Sequence, residues 1–278
     1  MSLLSLGSTD GYLHFDGDAC AEAGRGLAES YRSAEPFPHV VIDDFIDAAL
    51  LRRVHAQYPP LDGKAFFDRD QERFKFQFRA DELPGGLARN LLAELNGRAF
   101  LRFLEEMTGI AGLIPDPHFA GGGLHLTRRG GHLGVHADFN IHEEMRLERR
   151  LNLLVYLNDD WSPEYGGELE LWDREMTGCA RRVAPLIGRA VVFNTTLDSF
   201  HGHPDPLACP PDRDRRSIAT YYYTAIAGDA PEKIRTTNFR ARPGSGDKRD
   251  WAIASRHFIG DWVPPRLQRY AHRLNPFR

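Results

Sequence analysis

The chain has 278 residues, of which 42% are hydrophobic and 27% are charged, as in an ordinary globular protein with one substantial core. Its formal net charge of −4 gives no electrostatic reason to expect nucleic acid or anionic lipid as a partner. No apolar run approaches the roughly 20 residues that a membrane-spanning helix needs, which makes an integral membrane protein an unfavoured class.

The N-terminal half is predicted to mix helices and strands. Residues 48–58 form a short helix that Pro59 ends. Residues 87–107 carry apolar side chains at helical spacing over about five turns, and Gly109 follows as a stop signal. Such a helix has one apolar stripe, which a sheet or another helix must cover.

From about Phe119 the sequence consists of short segments rich in β-branched and aromatic residues, separated by turn residues. Six segments are predicted strands: 124–127, 134–138, 151–157, 168–172, 189–193 and 217–224. Because no long helices separate them, they cannot form a parallel α/β sheet and indicate an antiparallel sandwich or jelly roll. The last fifty residues are mixed again, and Pro265 opens a basic amphipathic helix to about Leu274. We expect that helix to pack against the protein rather than to anchor it in a membrane.

Three cysteines are scattered along the chain and form no CxxC pair: Cys20, Cys179 and Cys209. They argue against a disulfide framework and against a thiolate zinc site. The first residues also lack the basic region of a secretory signal. Reduced thiols in a cytoplasmic protein are therefore expected.

Histidines and carboxylates supply the candidate chemistry. A mononuclear iron(II) oxygenase needs two imidazoles and one carboxylate on one face of the metal. A His-x-Asp pair on a strand provides two of these ligands, because residues two apart point to the same side. Three such pairs begin at His14, His136 and His203. Only His136 and Asp138 lie within the strand-rich region, after a Gly-Gly turn, with a later histidine and a strand-borne arginine following in order.

The remaining ligand has two candidates, His201 and His203. Both would point to one face of an extended segment, so spacing does not separate them. On the strand 151–157, Asn152 and Tyr156 share a face, which predicts either a polar cavity or a solvated surface there. On the last strand, Arg216 and Thr220 share a face and could grip a carboxylate.

Taken together, these segments resemble the iron(II)/2-oxoglutarate dioxygenases of the prolyl-hydroxylase type. The resemblance lies in RRLNLLVYLN at 149–158, Asp160-Trp161, GGELELW at 166–172, and Val192-Phe193, His201 and Arg216-Ser-Ile218 in that order. It covers residues 120–225 strongly, and PFPHVVIDDF at 36–45 extends it loosely.

The resemblance implies a double-stranded β-helix (jelly-roll) core with flanking helices. It implies a single domain over 1–278, divided into N-terminal strands and supporting helices (1–115), a catalytic core (116–227) and a C-terminal extension (228–278). It also implies that His136, Asp138 and His201 hold the metal, since matching backwards to Phe193 without a gap favours His201 over His203.

For the co-substrate, the resemblance implies that Arg216 pairs with the distal carboxylate of 2-oxoglutarate. Thr220 and Tyr156 match residues of the family that hydrogen-bond 2-oxoglutarate, and Asn152 is a candidate to contact the other end of this co-substrate. One departure is Leu126, which stands where the family often has a tyrosine.

The activity implied is hydroxylation of a C–H bond with Fe(II), 2-oxoglutarate and O2, releasing succinate and CO2, with ascorbate as an accessory reductant. Asp138 favours hydroxylation over halogenation, because related halogenases have a small residue there. The substrate is a peptidyl proline, a free amino acid or another small molecule, with no nucleic-acid or membrane partner. Two alternatives are a cupin-type non-oxidative metalloenzyme, whose motif would begin at His201-Gly-His203, and a β-sandwich binding module with incidental histidines.

Overall fold

The computed structural model describes residues 2–61, 67–83, 86–226 and 234–275. Within these ranges the α-helices are α1 (Gly17–Arg32), α2 (Ala48–His55), α3 (Leu87–Leu95), α4 (Arg98–Thr108), α5 (Trp251–Trp262) and α6 (Pro265–Leu274). Of the helices described, none has the length and apolar character needed to cross a bilayer.

The β-strands of the described residues outnumber the helices. They are β1 (Leu6–Thr9), β2 (Tyr12–Phe15), β3 (His39–Ile42), β4 (Phe67–Arg69), β5 (Glu72–Phe78), β6 (Ile114–Pro115), β7 (Gly123–Ala137), β8 (Ile141–His142), β9 (Leu147–Tyr156), β10 (Leu169–Trp172), β11 (Cys179–Val183), β12 (Ala190–Asn194), β13 (His201–His203), β14 (Asp214–Thr224) and β15 (Asn238–Phe239). All the strand pairings described between them are antiparallel, and the main path runs β11-β10-β13-β7-β14-β9-β12-β3.

Strand β7 joins the two layers of this sheet. Its first half pairs with β14, with Thr127 opposite Arg215, and its second half pairs with β13, with His136 opposite His201. Between the halves, Gly130 has a φ of 76° and lets the strand turn. A strand that changes sheets in this way closes two layers around a shared interior, so the mainly β, double-stranded β-helix prediction is confirmed.

The helices cover the outer face of one layer. Leu151, Leu153 and Val155 point from β9 into a core that also contains Phe100 and Phe103 of α4. Their sequence neighbours Asn152, Leu154 and Tyr156 point the other way. The alternation predicted for this strand is therefore present, with the helical core on one side and the interior of the barrel on the other.

Several predicted elements differ from those observed. The helix predicted over 87–107 is two helices, α3 and α4, because Asn96 caps the first and Gly97 starts the second. The strands predicted at 124–127 and 134–138 belong to one bent strand, β7. Helix α6 is present as predicted, α2 ends at His55 rather than at the predicted residue 58, and α1 and α5 were not predicted. The predicted boundary between residues 227 and 228 lies outside the described residues.

Candidate metal centre

A cavity of about 240 Å³ lies inside the barrel, between the two layers. Strands β5, β7, β9, β12, β13 and β14 contribute its wall. Inward-facing side chains on neighbouring strands line up in rows, because paired residues share a face. One such row is Gln77 of β5, His125 of β7 and Ser217 of β14.

Three potential metal ligands converge at this cavity: His136, Asp138 and His201. Each offers one ligand atom, and these atoms lie within 4.8 Å of one another. The Asp138 Oδ1 atom is 3.6 Å from His136 Nε2, and its Oδ2 atom is 3.4 Å from His201 Nε2. The two imidazole rings are brought together by the pairing of β7 with β13, which sets their centroids 4.5 Å apart.

Backbone carbonyls orient both imidazoles. The Nδ1 atom of His136 is 2.9 Å from the Gly134 carbonyl oxygen, and that of His201 is 3.0 Å from the Ser199 carbonyl oxygen. Because a carbonyl only accepts, each Nδ1 must carry the proton, which leaves each Nε2 with a free lone pair facing Asp138. Burial, assisted by the neighbouring His136, lowers the pKa of His201 to about 4, so this ring is neutral near pH 7.

The carboxylate of Asp138 is held from the side by β9. Asn152 Nδ2 donates to Asp138 Oδ2 at 2.8 Å, and the buried guanidinium of Arg149 lies 3.1 Å from the same oxygen. Burial alone would raise the pKa of Asp138, but Arg149 and the two imidazoles outweigh it and hold the pKa well below its usual range. Two imidazoles and an ionised carboxylate are a donor set that fits iron(II).

The other histidine candidates lie elsewhere. His203 lines the same cavity and is buried, but it is not one of the three clustered potential ligands. Its Nδ1 atom has no hydrogen-bond partner among the described residues. His14 lies on the β1–β2 hairpin and contacts the Thr9 hydroxyl at 3.1 Å. Asp205, two residues after His203, is paired with Arg242 on the surface.

The prediction that Arg216 and Thr220 of β14 face the co-substrate was wrong. Arg216 does not line the cavity: its guanidinium donates to the His55 carbonyl at 3.1 Å and lies 4.9 Å from the Tyr58 ring centroid. Thr220 also points away from the cavity and bonds the Tyr222 hydroxyl at 2.8 Å under the helices. Both side chains point away because residues alternate between the two faces of a strand, and the even-numbered residues of β14 face the helical core.

The odd-numbered residues of β14 face the cavity instead. Arg215 and Ser217 line it, and Arg215 is fully surrounded by protein. Its Nε atom donates to the Gly167 carbonyl at 2.7 Å, and its NH2 group lies 3.5 Å from the Tyr156 hydroxyl. Tyr156 is thus beside the inward arginine, and burial raises its pKa. Asn152, expected near the co-substrate, lines the cavity next to Asp138.

Arg149 was missed by the sequence argument. Simple alternation would place it on the same face as Leu151, toward the helical core. A β-bulge between Leu151 and Arg149 in the pairing with β14 turns it inward, where it stacks 3.6 Å from the Tyr221 ring centroid. A bulge of this kind leaves no reliable signal in the residue pattern.

The β4–β5 hairpin forms another unpredicted part of the wall. It contributes Phe67, Arg69, Glu72, Lys75 and Gln77 to the cavity. Opposite it, Leu126 faces away from the cavity while its neighbours His125 and Thr127 line it. Leu126, at the position where the resemblance expects a tyrosine, is therefore not part of the cavity wall.

Comparison with known proteins gives the class. Residues 122–223 match the model of the 2OG-Fe(II) oxygenase superfamily. The chain matches no curated protein. A prolyl hydroxylase from Trichoplax adhaerens, solved with a peptide of hypoxia inducible factor, is similar in fold with a TM-score of 0.54 and 16% identity, over 74% of this chain and 91% of that one.

Two further structures are less similar. A prolyl-4-hydroxylase from Pseudomonas putida has a TM-score of 0.49 and 16% identity, over 72% of this chain and 98% of that chain. HygX from Streptomyces hygroscopicus, solved with nickel and 2-oxoglutarate, has a TM-score of 0.49 and 14% identity, over 78% of this chain and 94% of that chain.

Residues 122–223 therefore form a 2OG-Fe(II) oxygenase domain, and the segment carries all three clustered ligands. The chain thus contains a 2-oxoglutarate-dependent oxygenase domain, and this class of domain requires Fe(II), 2-oxoglutarate and O2. The cupin-type and binding-module alternatives are not favoured.

Proposed function

We propose that this protein hydroxylates a C–H bond of an organic substrate, with His136, Asp138 and His201 as the ligands of Fe(II). The observation that carries the proposal is the convergence of these three side chains within 4.8 Å at an internal cavity. The balanced reaction converts 2-oxoglutarate, O2 and a C–H bond into succinate, CO2 and a C–OH group. When bound, the iron supplies the oxidising chemistry that couples the two half-reactions.

The protein's own residues prepare this site. The Gly134 and Ser199 carbonyls fix the tautomers of the two histidines, and Asn152 and Arg149 orient Asp138. Ligands held in advance lose little freedom when the metal arrives. Because all three protein ligands come from one side of the cavity, the opposite side is left for co-substrate and substrate.

Arg215 is the arginine that we propose for the distal carboxylate of 2-oxoglutarate, in place of Arg216. It is buried at the cavity, where a guanidinium can give two charged hydrogen bonds to a carboxylate. Ser217, two residues along the same face, and Tyr156, beside the guanidinium, can add hydroxyl donors. The low dielectric around these groups strengthens each bond.

The size of the cavity bears on the substrate. Its 240 Å³ is below the roughly 300–1,000 Å³ of pockets that enclose drug-sized ligands. With 2-oxoglutarate inside, only the group to be hydroxylated fits, and the rest of a peptide or small molecule lies at the mouth. Phe139 and Tyr221 line the cavity near Arg149 and offer apolar surface to such a group.

The remaining parts of the proposal rest on the sequence. We propose one domain over 1–278, with 1–115 supporting the core and 228–278 as a C-terminal extension. Three free cysteines support a reducing, cytoplasmic location. Ascorbate is proposed as the accessory reductant.

The test begins with the metal-free protein under anaerobic conditions. Adding Fe(II) and 2-oxoglutarate should produce a weak visible charge-transfer band. His136→Ala should abolish the band, whereas His14→Ala, which alters another His-x-Asp pair, should retain it. A wild-type protein without a band, or a band that survives in His136→Ala, would refute the ligand assignment.

Substrate class is then tested by succinate release. The screen offers prolyl peptides, free amino acids and larger small molecules with Fe(II), 2-oxoglutarate, O2 and ascorbate. Succinate formed above the substrate-free background, with a product heavier by one oxygen atom, identifies the hydroxylated compound. Succinate release with prolyl peptides alone would make the protein an enzyme that modifies proteins. Succinate release with small molecules would make it an enzyme of small-molecule metabolism.

A further inference from the structure

The C-terminal helices α5 and α6 form a hairpin whose apolar side chains are largely exposed. Six of the ten large hydrophobic side chains that are exposed among the described residues belong to it. Phe258, Trp262 and Leu274 have 61%, 75% and 83% of their surface exposed. Several exposed large apolar side chains on one pair of helices mark an interaction site more often than scattered single ones do.

On α5 the exposed aromatic side chains follow one line. Trp251, Phe258 and Trp262 are spaced by seven and four residues, which places them on the same side of a helix. The rest of the helix is attached to the protein: Asp261 accepts from Arg235 at 2.7 Å, and Ile259 is buried. The exposed line is therefore held out from the protein by packing on other faces of α5.

On α6 the apolar and basic residues are separated. Leu267, Tyr270 and Leu274 recur at helical spacing, and Arg266, Arg269 and Arg273 recur on an adjacent side, with Arg269 stacked on the Tyr270 ring. A short helix with aromatic and leucine side chains on one face and arginine on an adjacent one is typical of segments that lie in a membrane interface. Helix α6 packs against α5, as expected of a helix that packs on the protein.

The charge of the hairpin distinguishes between partners. Its exposed charged residues are all arginines, namely Arg256, Arg266, Arg269 and Arg273. Its one acid, Asp261, is engaged by Arg235. A second copy of the chain would set these arginines against one another in a symmetric interface. An anionic lipid surface would complement them, and tryptophan and tyrosine favour the headgroup region.

We propose that the α5–α6 hairpin binds the surface of anionic membranes, with its aromatic side chains in the headgroup region and its arginines on lipid phosphates. The site is separate from the cavity and independent of the proposed reaction. Binding is peripheral and reversible, because the hairpin is too short to cross a bilayer.

The test uses the full-length protein with vesicles of phosphatidylglycerol and phosphatidylcholine in equal parts, and with phosphatidylcholine alone. The protein should sediment with the anionic vesicles and be released by high salt. Trp251 and Trp262 are exposed whereas Trp161 and Trp172 are buried. A blue shift of tryptophan fluorescence on binding therefore reports on the hairpin.

Two variants separate the contributions. Arg266→Gln/Arg269→Gln/Arg273→Gln should weaken binding by about a hundredfold, on the order of fivefold per arginine. Phe258→Ser/Trp262→Ser should reduce sedimentation with anionic vesicles and should reduce the blue shift, to which Trp251 then remains the exposed contributor. The matched control removes three exposed arginines from α2, α3 and α4, as Arg53→Gln/Arg89→Gln/Arg98→Gln, and should bind like the wild type.

Three results would overturn the proposal. One is the absence of sedimentation with anionic vesicles, and another is equal binding to neutral ones. The third is a dimer by light scattering that Trp262→Ser disrupts, because a second copy would then cover the stripe. Circular dichroism and the anaerobic iron and 2-oxoglutarate band should be unchanged in every variant, which separates loss of docking from loss of fold.

Discussion

The carboxylate of Asp138, a proposed metal ligand, is held in one orientation by its neighbours. Asn152 and Arg149 both approach its Oδ2 atom, at 2.8 and 3.1 Å. Asn152 also accepts from Arg149 through its side-chain oxygen, at 2.7 Å. The three side chains thus form a closed buried network in which each fixes the others.

Asn152→Ala should weaken metal binding. Loss of the amide leaves Asp138 free to rotate, and removal of such a supporting bond typically costs 10–100-fold in affinity, so a rise in Kd of about that size is expected. Paramagnetic resonance titration with Mn(II) measures it. Asn90→Ala also removes two amide hydrogen bonds, to the Leu13 backbone, but far from the cavity. That control should bind Mn(II) normally; equal affinity in Asn152→Ala would exclude a positioning role.

Arg215 and Arg216 are adjacent in sequence but point to opposite faces of β14. Arg215→Met should raise the Kd for 2-oxoglutarate about 10–100-fold, since charged hydrogen bonds contribute roughly 1.5–3 kcal/mol. Arg216→Met should leave that Kd unchanged. Titration under anaerobic conditions with Fe(II) measures both.

The chemical identity of the lost contact is checked with 2-oxobutanoate, which lacks the distal carboxylate. Its affinity should be the same in the wild type and in Arg215→Met. If Arg216→Met were the variant that lost 2-oxoglutarate, the face assigned to this strand would be wrong in solution.

At the scale of elements, the approach of β13 to β7 depends on Gly202. A Cβ atom at this position would lie 2.8 Å from the carbonyl oxygens of both Leu133 and Gly134. The strands would have to separate, and the ring of His201 would move away from His136. A glycine between the two histidines is thus a structural requirement of the proposed metal centre.

Gly202→Ala should destabilise the protein by about 1–3 kcal/mol, the usual cost of overpacking, and should weaken Mn(II) binding. Gly26→Ala on α1 is the control, because nothing lies within 4 Å of its Cβ position. Guanidinium unfolding and Mn(II) titration are the measurements. A Gly202→Ala protein with unchanged metal affinity would show that β13 can shift without moving His201.

The elements that could be predicted from sequence are those with one clear pattern. Helix α2 and the alternation on β9 were predicted because their apolar residues recur at a single period. Helix α1 was missed because it packs closely on α4 through small residues: a Cβ atom on Gly24 would lie 2.4 Å from the Phe103 carbonyl oxygen. Small residues give almost no hydrophobic signal.

The site was predictable in part for the same reason. The pairing of His136 with Asp138 follows from strand geometry, and the family resemblance, matched backwards to Phe193, favoured His201 over His203. The face of β14 that lines the cavity could not be predicted from the sequence, because helices cover one side of this strand and the cavity lies on the other. A strand buried on both sides shows no alternation of polar and apolar residues, and either Arg215 or Arg216 then fits the pattern.

At the scale of the whole molecule, burial keeps many histidines neutral. It lowers the pKa of six of them: His39, His55, His125, His201, His203 and His257. His39 illustrates the cause and lies on β3, away from the metal centre. Burial lowers its pKa, its Nδ1 proton is donated to the Phe37 carbonyl, and Arg181 faces its Nε2 atom at 3.1 Å. A second proton on this ring would meet a guanidinium.

The metal-free protein should therefore lose stability in mild acid. In the unfolded chain a histidine takes up a proton below about pH 6.5, whereas the folded, buried ring does not until a lower pH. The unfolded state then binds more protons, so the free energy of unfolding falls as the pH falls, by up to about 1.4 kcal/mol per pH unit for each such histidine. Guanidinium unfolding in the presence of a chelator, between pH 7.5 and pH 5, measures the slope. His39→Gln should flatten it and exposed His14→Gln should not; equal slopes in the three proteins would mean that His39 is protonated in the folded state.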